Sequence, residues 1–176
     1  MKNPNKLNFD RGIVLVGLMG AGKSSVGWRL AKRLGLTFND ADQEIEKSAD
    51  CTVDEFFDRH GEAAFRTGER KVIARLLDGP PHVLATGGGA FMDPEIRAAI
   101  REHGISVWLR ADLDILLERV TRRGNRPLLK RGNPREILAK LMAERDPVYA
   151  MADLTVKSMQ GPHEEIVERI VAALKN

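Results

Sequence analysis

Two patterns of apolar and polar positions alternate along this chain of 176 residues. Five short segments, most of them wholly apolar, predict strands at residues 13–16, 37–39, 83–85, 107–109 and 154–156. Apolar residues at helical spacing predict the intervening helices, at residues 23–34, 42–48, 53–58, 62–77, 94 onward, 113–120, 135–148 and 164–174. Strands that alternate with helices predict an α/β fold with a mostly parallel sheet, helices on both faces, and ligands at the carboxyl ends of the strands.

Capping residues mark the ends of several of these helices. Gly35 follows the first helix, at the position where left-handed C-caps are common. Thr52 and Glu55 have the spacing of a capping box, and Pro94 stands at the first helical position after Asp93. These residues predict where the loops between strands and helices begin and end.

The composition is that of an ordinary globular domain, with 43% hydrophobic and 30% charged residues. We expect a single domain over residues 1–176 that remains in the cytoplasm, because no apolar run approaches the roughly 20 residues of a membrane span and residues 1–12 have no signal-peptide segment. The only cysteine, Cys51, excludes an intrachain disulfide and a cysteine-based zinc site. The net charge of +3 is too small to indicate nucleic acid by itself.

The loop after the first strand has the strongest motif in the chain. Its residues, Gly17-Leu-Met-Gly-Ala-Gly-Lys23-Ser24, fit the Walker A pattern G-x-x-x-x-G-K-[ST], and we call them the phosphate loop. The glycines let backbone N–H groups converge on phosphate oxygens, Lys23 adds a point charge, and Ser24 can bind Mg²⁺. A glycine-rich turn without a ligand is the alternative, but a strand before and a helix after favour a nucleoside triphosphate site.

Polar residues and glycines also follow the second and third predicted strands. Asp40 and Asp42 come after the second, and phosphoryl transfer needs one carboxylate near Mg²⁺ and another to orient or deprotonate the attacking hydroxyl. An N-cap role for Asp42 is the alternative, and it is compatible with function. The third strand is followed by Gly87, Gly88 and Gly89, here called the glycine turn, which indicates either a tight turn or a backbone that closely approaches a substrate.

A basic segment lies between residues 119 and 135, where seven basic side chains occur without an acidic one. They are Arg119, Arg122, Arg123, Arg126, Lys130, Arg131 and Arg135. Glycines and prolines interrupt the segment, so a uniform helix cannot run through it. A solvated loop and a nucleic-acid patch are alternatives, but no aromatic residue is available to stack on bases. Beside a phosphate loop, residues 121–134 are better interpreted as a mobile lid that closes over polyphosphate.

Two further arginines have neighbours that suggest a binding role. Arg66 follows Phe65 and precedes Glu69, and Arg145 lies in the run Glu144-Arg145-Asp146-Pro147-Val148-Tyr149. An arginine on a helix is usually solvated or ion-paired. If the substrate is a carboxylate, however, two guanidinium groups can hold it bidentately.

Taken in order, these motifs resemble those of the shikimate kinase family over nearly the whole chain. The family shows G-x-x-G-x-G-K-S-[ST], D-x-D, F-R-x-x-E, G-G-G, R-P-L-L and R-x-P-x-Y, matched here at residues 17–25, 40–42, 65–69, 87–89, 126–129 and 145–149. The resemblance implies a P-loop NTPase-type three-layer sandwich with a central five-stranded parallel sheet and a mobile lid. It also implies ATP-dependent phosphorylation of the 3-hydroxyl of shikimate, a step of aromatic amino-acid biosynthesis.

The same resemblance implies a role for each matched residue. The ATP-binding residues would be Gly20, Ala21, Gly22, Lys23, Ser24, Ser25, Arg119, Arg126 and Pro162. The residues near shikimate would be Asp42, Arg66, Gly87, Gly88, Gly89 and Arg145. One Mg²⁺ ion would be held at Ser24 and Asp40, with Asp40 acting through water. The catalytic residues would be Lys23, Arg126 and Asp42, the last of them as candidate base. The partners would be shikimate and ATP, without nucleic acid or membrane, and the protein would be a monomer.

One departure and two alternatives accompany the resemblance. Gly68 stands inside a predicted helix, where glycine costs roughly 1 kcal/mol relative to alanine. Other small-molecule P-loop kinases, such as gluconate or nucleoside monophosphate kinases, share the phosphate loop and lid but lack this combination of motifs. A ligand-sensing domain without catalysis would tend to lose Lys23, Asp42 or Arg126, and all three are present.

Overall fold

The computed structural model describes residues 9–123 and 132–176 of the chain. Within these residues, five strands form one parallel sheet. They are β1 (Gly12–Val16), β2 (Thr37–Asp40), β3 (His82–Ala85), β4 (Gly104–Arg110) and β5 (Leu154–Lys157). Their order across the sheet is β2-β3-β1-β4-β5, so the first strand of the chain is the central one.

Seven α-helices and one short 3₁₀-helix surround the sheet in the described part of the chain. The α-helices are α1 (Lys23–Leu34), α2 (Ala41–Ala49), α3 (Val53–Leu77), α4 (Pro94–His103), α5 (Leu113–Arg123), α6 (Pro134–Tyr149) and α7 (His163–Leu174). The 3₁₀-helix, Ala90–Met92, is missing from the sequence prediction because three residues are too few to show helical periodicity.

The direction of the crossover connections assigns the helices to two faces. The connection from β1 to β2 runs one way along the sheet, and those from β2 to β3, β3 to β4 and β4 to β5 run the other way. Because crossovers between parallel strands are right-handed, α1 covers one face, while α2 to α6 cover the opposite face. The last helix, α7, packs against α1 and so completes the first face. The predicted three-layer arrangement is confirmed.

Burial along the strands follows from this layering. All five residues of β1 are buried, as expected of a parallel strand with helices on both sides. The edge strand β2 begins at the exposed Thr37 and is otherwise half-buried. This explains why β2 has the least apolar sequence of the predicted strands.

A smaller hydrophobic cluster joins α2 to α3. It contains Ile45, Phe65 and Val72, with Phe56 and Phe57 packed against it. Phe65 is buried, which fixes the backbone position of its neighbour in the chain. The cluster therefore places Arg66, the predicted binding residue that follows Phe65, at a defined position beside the sheet.

The signals at helix ends are confirmed as well. The Thr52 hydroxyl accepts from the Glu55 N–H at 3.2 Å, and the Glu55 carboxylate accepts from the Thr52 N–H at 3.0 Å, which completes the capping box. Gly35 ends α1 with a φ of 69°. The two helices predicted at 53–58 and 62–77 are one element, α3, broken at Gly61, where φ is 79°. Within the residues described, no helix has both the length and the apolar character of a membrane span.

Candidate active site

The carboxyl ends of three strands bring the predicted site residues to one edge of the sheet. β1 ends directly before Gly17, β2 ends at Asp40, and β3 ends shortly before Gly87. Ala85 pairs with Leu15 on one side and with Asp40 on the other, so the loops after these strands are neighbours. Together they border a cleft of about 500 Å³.

Most of the predicted residues in the described ranges line this cleft. They are Gly20, Gly22, Lys23, Ser24, Ser25, Asp40, Asp42, Gly87, Gly88 and Arg119. Ala21, within the phosphate loop, is buried. Arg66, Gly89 and Arg145 adjoin the cleft through the glycine turn, and Pro162 lies between two cleft-lining residues, Gly161 and His163.

The phosphate loop owes its shape to glycine. Gly17, Gly20 and Gly22 have φ angles of 143°, 82° and 96°, in the region that residues with a Cβ rarely adopt. Gly22 is also the N-cap of α1, and the first turn of α1 contains no acidic residue. The N–H groups and the positive dipole end of α1 therefore remain suited to an anion. The buried Lys23 donates from Nζ to the carbonyl oxygens of Gly17 at 2.6 Å and Leu18 at 3.0 Å, which keeps its charge at the loop.

A hydroxyl and a carboxylate lie beside this loop. The Ser24 Oγ donates to Asp40 Oδ2 at 2.6 Å, and Asp40 Oδ1 accepts from the Gln43 N–H at 3.2 Å. Asp40 is thus the N-cap of α2. The sequence left an N-cap role open for Asp42, and that alternative is wrong: Asp42 lies half-buried in the first turn of α2 and lines the cleft.

Each residue of the glycine turn lies against one predicted substrate-binding side chain. A Cβ added to Gly87 would lie 2.9 Å from Asp42 Oδ1, and one added to Gly88 would lie 3.5 Å from Arg145 Nη1. A Cβ added to Gly89 would lie 2.9 Å from the Arg66 Cζ. No residue of the turn has a positive φ, so close approach, rather than backbone conformation, accounts for these glycines.

Arg66 is fixed by a buried carboxylate. Its Nη1 donates to Glu69 Oε1 at 2.8 Å, and its guanidinium lies 5.3 Å from the centre of the Phe65 ring. Burial raises the pKa of Glu69, and the hydrogen bond and charge of Arg66 oppose this shift. Among the described residues, no hydrogen-bond partner contacts Glu69 Oε2. Glu69 was predicted only as part of the F-R-x-x-E pattern, without a role of its own.

Tyr149 is a second supporting residue that received no role from the sequence. Its hydroxyl and the Arg145 Nη1 both donate to the carbonyl oxygen of Gly88, the latter at 3.0 Å. The ring is fully buried and stacks near Phe91 and Trp108, with centroid distances of 6.3 and 5.8 Å. Burial raises the pKa of Tyr149 to about 12. The spacing of Arg145 and Tyr149, one helical turn apart, was the available signal, because it places both on one face of α6.

Arg119 lies at the other end of the cleft and joins three segments. Its Nη1 donates to the Gly20 and Ala21 carbonyl oxygens at 3.1 and 3.2 Å and to Ser158 Oγ at 3.0 Å. Its Nη2 donates to the Met159 carbonyl oxygen at 2.9 Å. Burial lowers the pKa of the Arg119 guanidinium.

Pro162 and Arg126 are the other residues predicted on the nucleotide side. Pro162 is exposed at the N-cap of α7, and its neighbours Gly161 and His163 line the cleft. Burial, together with the charges of Arg29 and Arg119, lowers the pKa of His163. Arg126 and the central part of the predicted lid, residues 124–131, lie outside the described residues.

A central strand, a glycine-rich phosphate loop with its lysine, and adjacent carboxylates and arginines define a small-molecule kinase of the P-loop type. The family model for shikimate kinase matches residues 19–175. The chain is 60% identical to a shikimate kinase of Paramagnetospirillum magneticum, over 94% of this chain and 85% of that protein. The chain therefore belongs to the shikimate kinase family and is an ATP-dependent kinase.

The structures of known shikimate kinases give the same assignment. A shikimate kinase from Acinetobacter baumannii, in complex with shikimate, is similar with a TM-score of 0.89 and 39% identity, over 93% of this chain and 92% of that one. A gluconokinase from Sinorhizobium meliloti is similar with a TM-score of 0.62 and 22% identity, over 96% of this chain and 94% of that one. The second likeness shows the fold alone, so the gluconate kinase alternative is not favoured.

Proposed function

We propose that this chain transfers the γ-phosphoryl group of ATP to the 3-hydroxyl of shikimate, giving shikimate 3-phosphate and ADP. The observation that carries the proposal is the convergence of Asp42, Arg66 and Arg145 on the glycine turn beside the phosphate loop. Shikimate has a carboxylate and several hydroxyl groups. A pair of guanidinium groups suits the carboxylate, and an aspartate suits a hydroxyl.

The phosphate loop and Lys23 bind the phosphates of ATP. The backbone N–H groups at the start of α1 and the dipole of that helix favour negative charge, and the Lys23 ammonium adds to them. The protein contributes little covalent chemistry to phosphoryl transfer, because positioning and charge neutralisation supply most of the catalysis. Lys23 is held at the loop by two backbone carbonyls, which keeps its ammonium beside the proposed phosphate site.

The donor set beside the loop fits Mg²⁺. Mg²⁺ is usually bound through one or two protein oxygens together with phosphate oxygens and water, and Ser24 Oγ and Asp40 Oδ2 lie 2.6 Å apart at this place. Among the described residues, no group of three or more His, Cys, Asp and Glu side chains could hold a metal by itself. A single ion that enters with ATP, held at Ser24 and, through water, at Asp40, is consistent with both observations. When bound, it would neutralise charge on the phosphates.

Asp42 is proposed to accept the proton of the reacting hydroxyl. It lines the cleft near the phosphate loop, and its Oδ1 faces the glycine turn. A carboxylate at this place can orient the hydroxyl for in-line attack and take its proton as the bond to phosphorus forms. Asp40 is assigned to the metal side instead, because its oxygens contact the Ser24 hydroxyl and the first turn of α2.

Arg66 and Arg145 are proposed to hold the shikimate carboxylate from two sides of the glycine turn. Glu69 orients the first, and the Gly88 carbonyl orients the second. Arg119 and Pro162 are proposed to lie beside adenine, and Arg126 to approach the transferred phosphate; these three roles rest on the family resemblance. A monomer formed by a single domain is proposed on the same ground.

ADP release from Mg-ATP, measured with shikimate, with gluconate and with no acceptor, tests the proposal. We expect release that depends on shikimate and a product heavier by one phosphate. Turnover with gluconate but not with shikimate would contradict the proposal and favour the sugar kinase alternative. ATP binding without turnover on either acceptor would also contradict it, and would favour a sensing domain.

A further inference from the structure

A buried serine lies where three parts of the nucleotide cleft meet. Ser158 is the residue after β5 and is fully buried. Its N–H donates to the Arg110 carbonyl oxygen at 2.7 Å and so extends the pairing of β4 with β5 by one residue. Its side chain therefore starts from a backbone position that the sheet fixes.

The hydroxyl of Ser158 is used as both donor and acceptor. It donates to the carbonyl oxygen of Ala21 at 2.9 Å, and it accepts from Arg119 Nη1 at 3.0 Å. Arg119 in turn donates to the Gly20, Ala21 and Met159 carbonyl oxygens, at 3.1, 3.2 and 2.9 Å. The Ser158 hydroxyl thus connects its own segment, which leads to α7, with the phosphate loop at Ala21 and with helix α5 at Arg119.

The bond to Ala21 has a consequence for phosphate binding. The Ala21 carbonyl and the Gly22 N–H belong to the same peptide unit, which is planar and trans, so the two groups point in opposite directions. Holding the carbonyl against buried Ser158 turns the Gly22 N–H away from the protein interior. Gly22 lines the cleft, and its φ of 96° lies outside the helical region. The geometry of helix α1 therefore does not by itself set the orientation of the peptide between Ala21 and Gly22.

We propose that Ser158 is a positioning residue for the nucleotide: through Ala21 and Arg119, its hydroxyl keeps the Gly22 N–H aimed at the phosphates and keeps Arg119 in place. Ser158 is buried and does not line the cleft, so it acts through these two residues. The inference deepens the proposed function, because it assumes that the cleft binds ATP. It predicts that losing the hydroxyl weakens nucleotide binding and leaves the shikimate side unchanged.

Three substitutions at Ser158 and one control test this. Ser158→Ala removes the hydroxyl, Ser158→Cys fills the space with a much weaker donor and acceptor, and Ser158→Thr retains the hydroxyl. Ser106→Ala is the matched control, because Ser106 is also buried and hydrogen-bonded, but to Asp153 and away from the cleft. For each variant we would measure the KM for ATP, the KM for shikimate, the thermal midpoint, and ADP affinity by calorimetry.

We expect Ser158→Ala and Ser158→Cys to raise the KM for ATP and the Kd for ADP by about three- to tenfold, as the loss of one buried hydrogen bond implies. The KM for shikimate should change by less than about twofold in both variants. Ser158→Thr should return the ATP values towards wild type, and Ser106→Ala should lower only the thermal midpoint.

The inference is overturned if Ser158→Ala, or Ser158→Cys should the alanine variant not fold, keeps the wild-type ADP affinity. It is also overturned if Ser106→Ala shifts ADP affinity equally, or if Ser158→Thr restores nothing. Failure of the proposed function is distinguishable, because it would be seen as absence of shikimate-dependent turnover in the wild-type protein. ADP affinity reports on Ser158 whichever acceptor the enzyme uses.

Discussion

Gly89 and Arg66 lie so close together that a Cβ at position 89 would stand 2.9 Å from the Cζ of the arginine. The guanidinium is held in this place by Glu69, whose carboxylate is buried. Arg66 can therefore occupy this position only because residue 89 has no side chain, although the two residues are far apart in the chain.

Gly89→Ala should displace Arg66 and weaken shikimate binding. The guanidinium is the far end of a flexible side chain, so it can move without a shift of the backbone. We expect the KM for shikimate to rise at least about tenfold, near 1.4 kcal/mol, with the KM for ATP little changed. Steady-state kinetics in both substrates checks this. An unchanged KM for shikimate would remove Arg66 from the substrate site.

Gly68→Ala is the matched control for this substitution. Gly68 lies inside α3, and a Cβ there would have no atom within 4 Å. Alanine should raise the free energy of unfolding by roughly 0.5–1 kcal/mol, because glycine is a poor helix former. The kinetic constants should not change, and urea denaturation measures the gain in stability.

Asp42→Asn should abolish turnover and leave a folded protein that binds nucleotide. The amide has nearly the shape of the carboxylate but cannot accept the proton of the attacking hydroxyl. Single-turnover rates and ADP affinity check the two parts of this expectation. Glu44→Gln is the control on the same helix, because Glu44 pairs with Lys47 at 3.1 Å and does not line the cleft. Near-normal turnover in Asp42→Asn would exclude an essential carboxylate there.

The buried phenol of Tyr149 should titrate far above its ordinary pKa of 10.0, at about 12. Because the folded-state pKa is raised, the folded state favours the neutral phenol. This contribution to stability is fully present below pH 10 and is lost as the pH rises towards 12. Tyr149 is the only tyrosine of the chain, so phenolate absorbance in the near ultraviolet reports on it alone. A midpoint near 10 would contradict the burial.

Tyr149→Phe separates the hydroxyl from the ring. The variant keeps the stacking with Phe91 and Trp108 but loses the hydrogen bond to Gly88, so we expect a loss of about 1 kcal/mol of unfolding free energy at neutral pH. That deficit should shrink as the pH rises from 10 towards 12, because only the wild-type protein has a phenol to ionise there. Denaturant unfolding across this range measures the difference.

Arg126→Ala should lower kcat by at least about tenfold, near 1.4 kcal/mol, and change ATP affinity less. The expectation rests on the family resemblance and on the loss of positive charge near the transferred phosphate. Arg135→Ala is a control from the same basic segment, because Arg135 pairs with Asp114 at 2.8 Å. An unchanged kcat in Arg126→Ala would exclude this residue from catalysis.

The order of strands and helices, the phosphate loop and the family could all be predicted from the sequence. Each depends on residues close together in the chain: apolar spacing, a capping box at Thr52 and Glu55, or a contiguous motif. The 3₁₀-helix at Ala90–Met92 could not be predicted, because three residues are too few to show helical periodicity. The choice of Asp40 rather than Asp42 as N-cap could not be predicted either, because both aspartates are equally good N-cap residues by sequence.

The partnerships inside the site were decided only by the tertiary structure. The contacts of Gly87 with Asp42, Gly89 with Arg66, and Ser158 with Ala21 join residues from different strands and helices. Such contacts depend on the order of the strands across the sheet, because that order decides which loops lie next to each other. The sequence by itself therefore determined the elements and the chemistry, since both are set locally. Which side chains hold one another in place depends on distances that only the packed sheet and helices define.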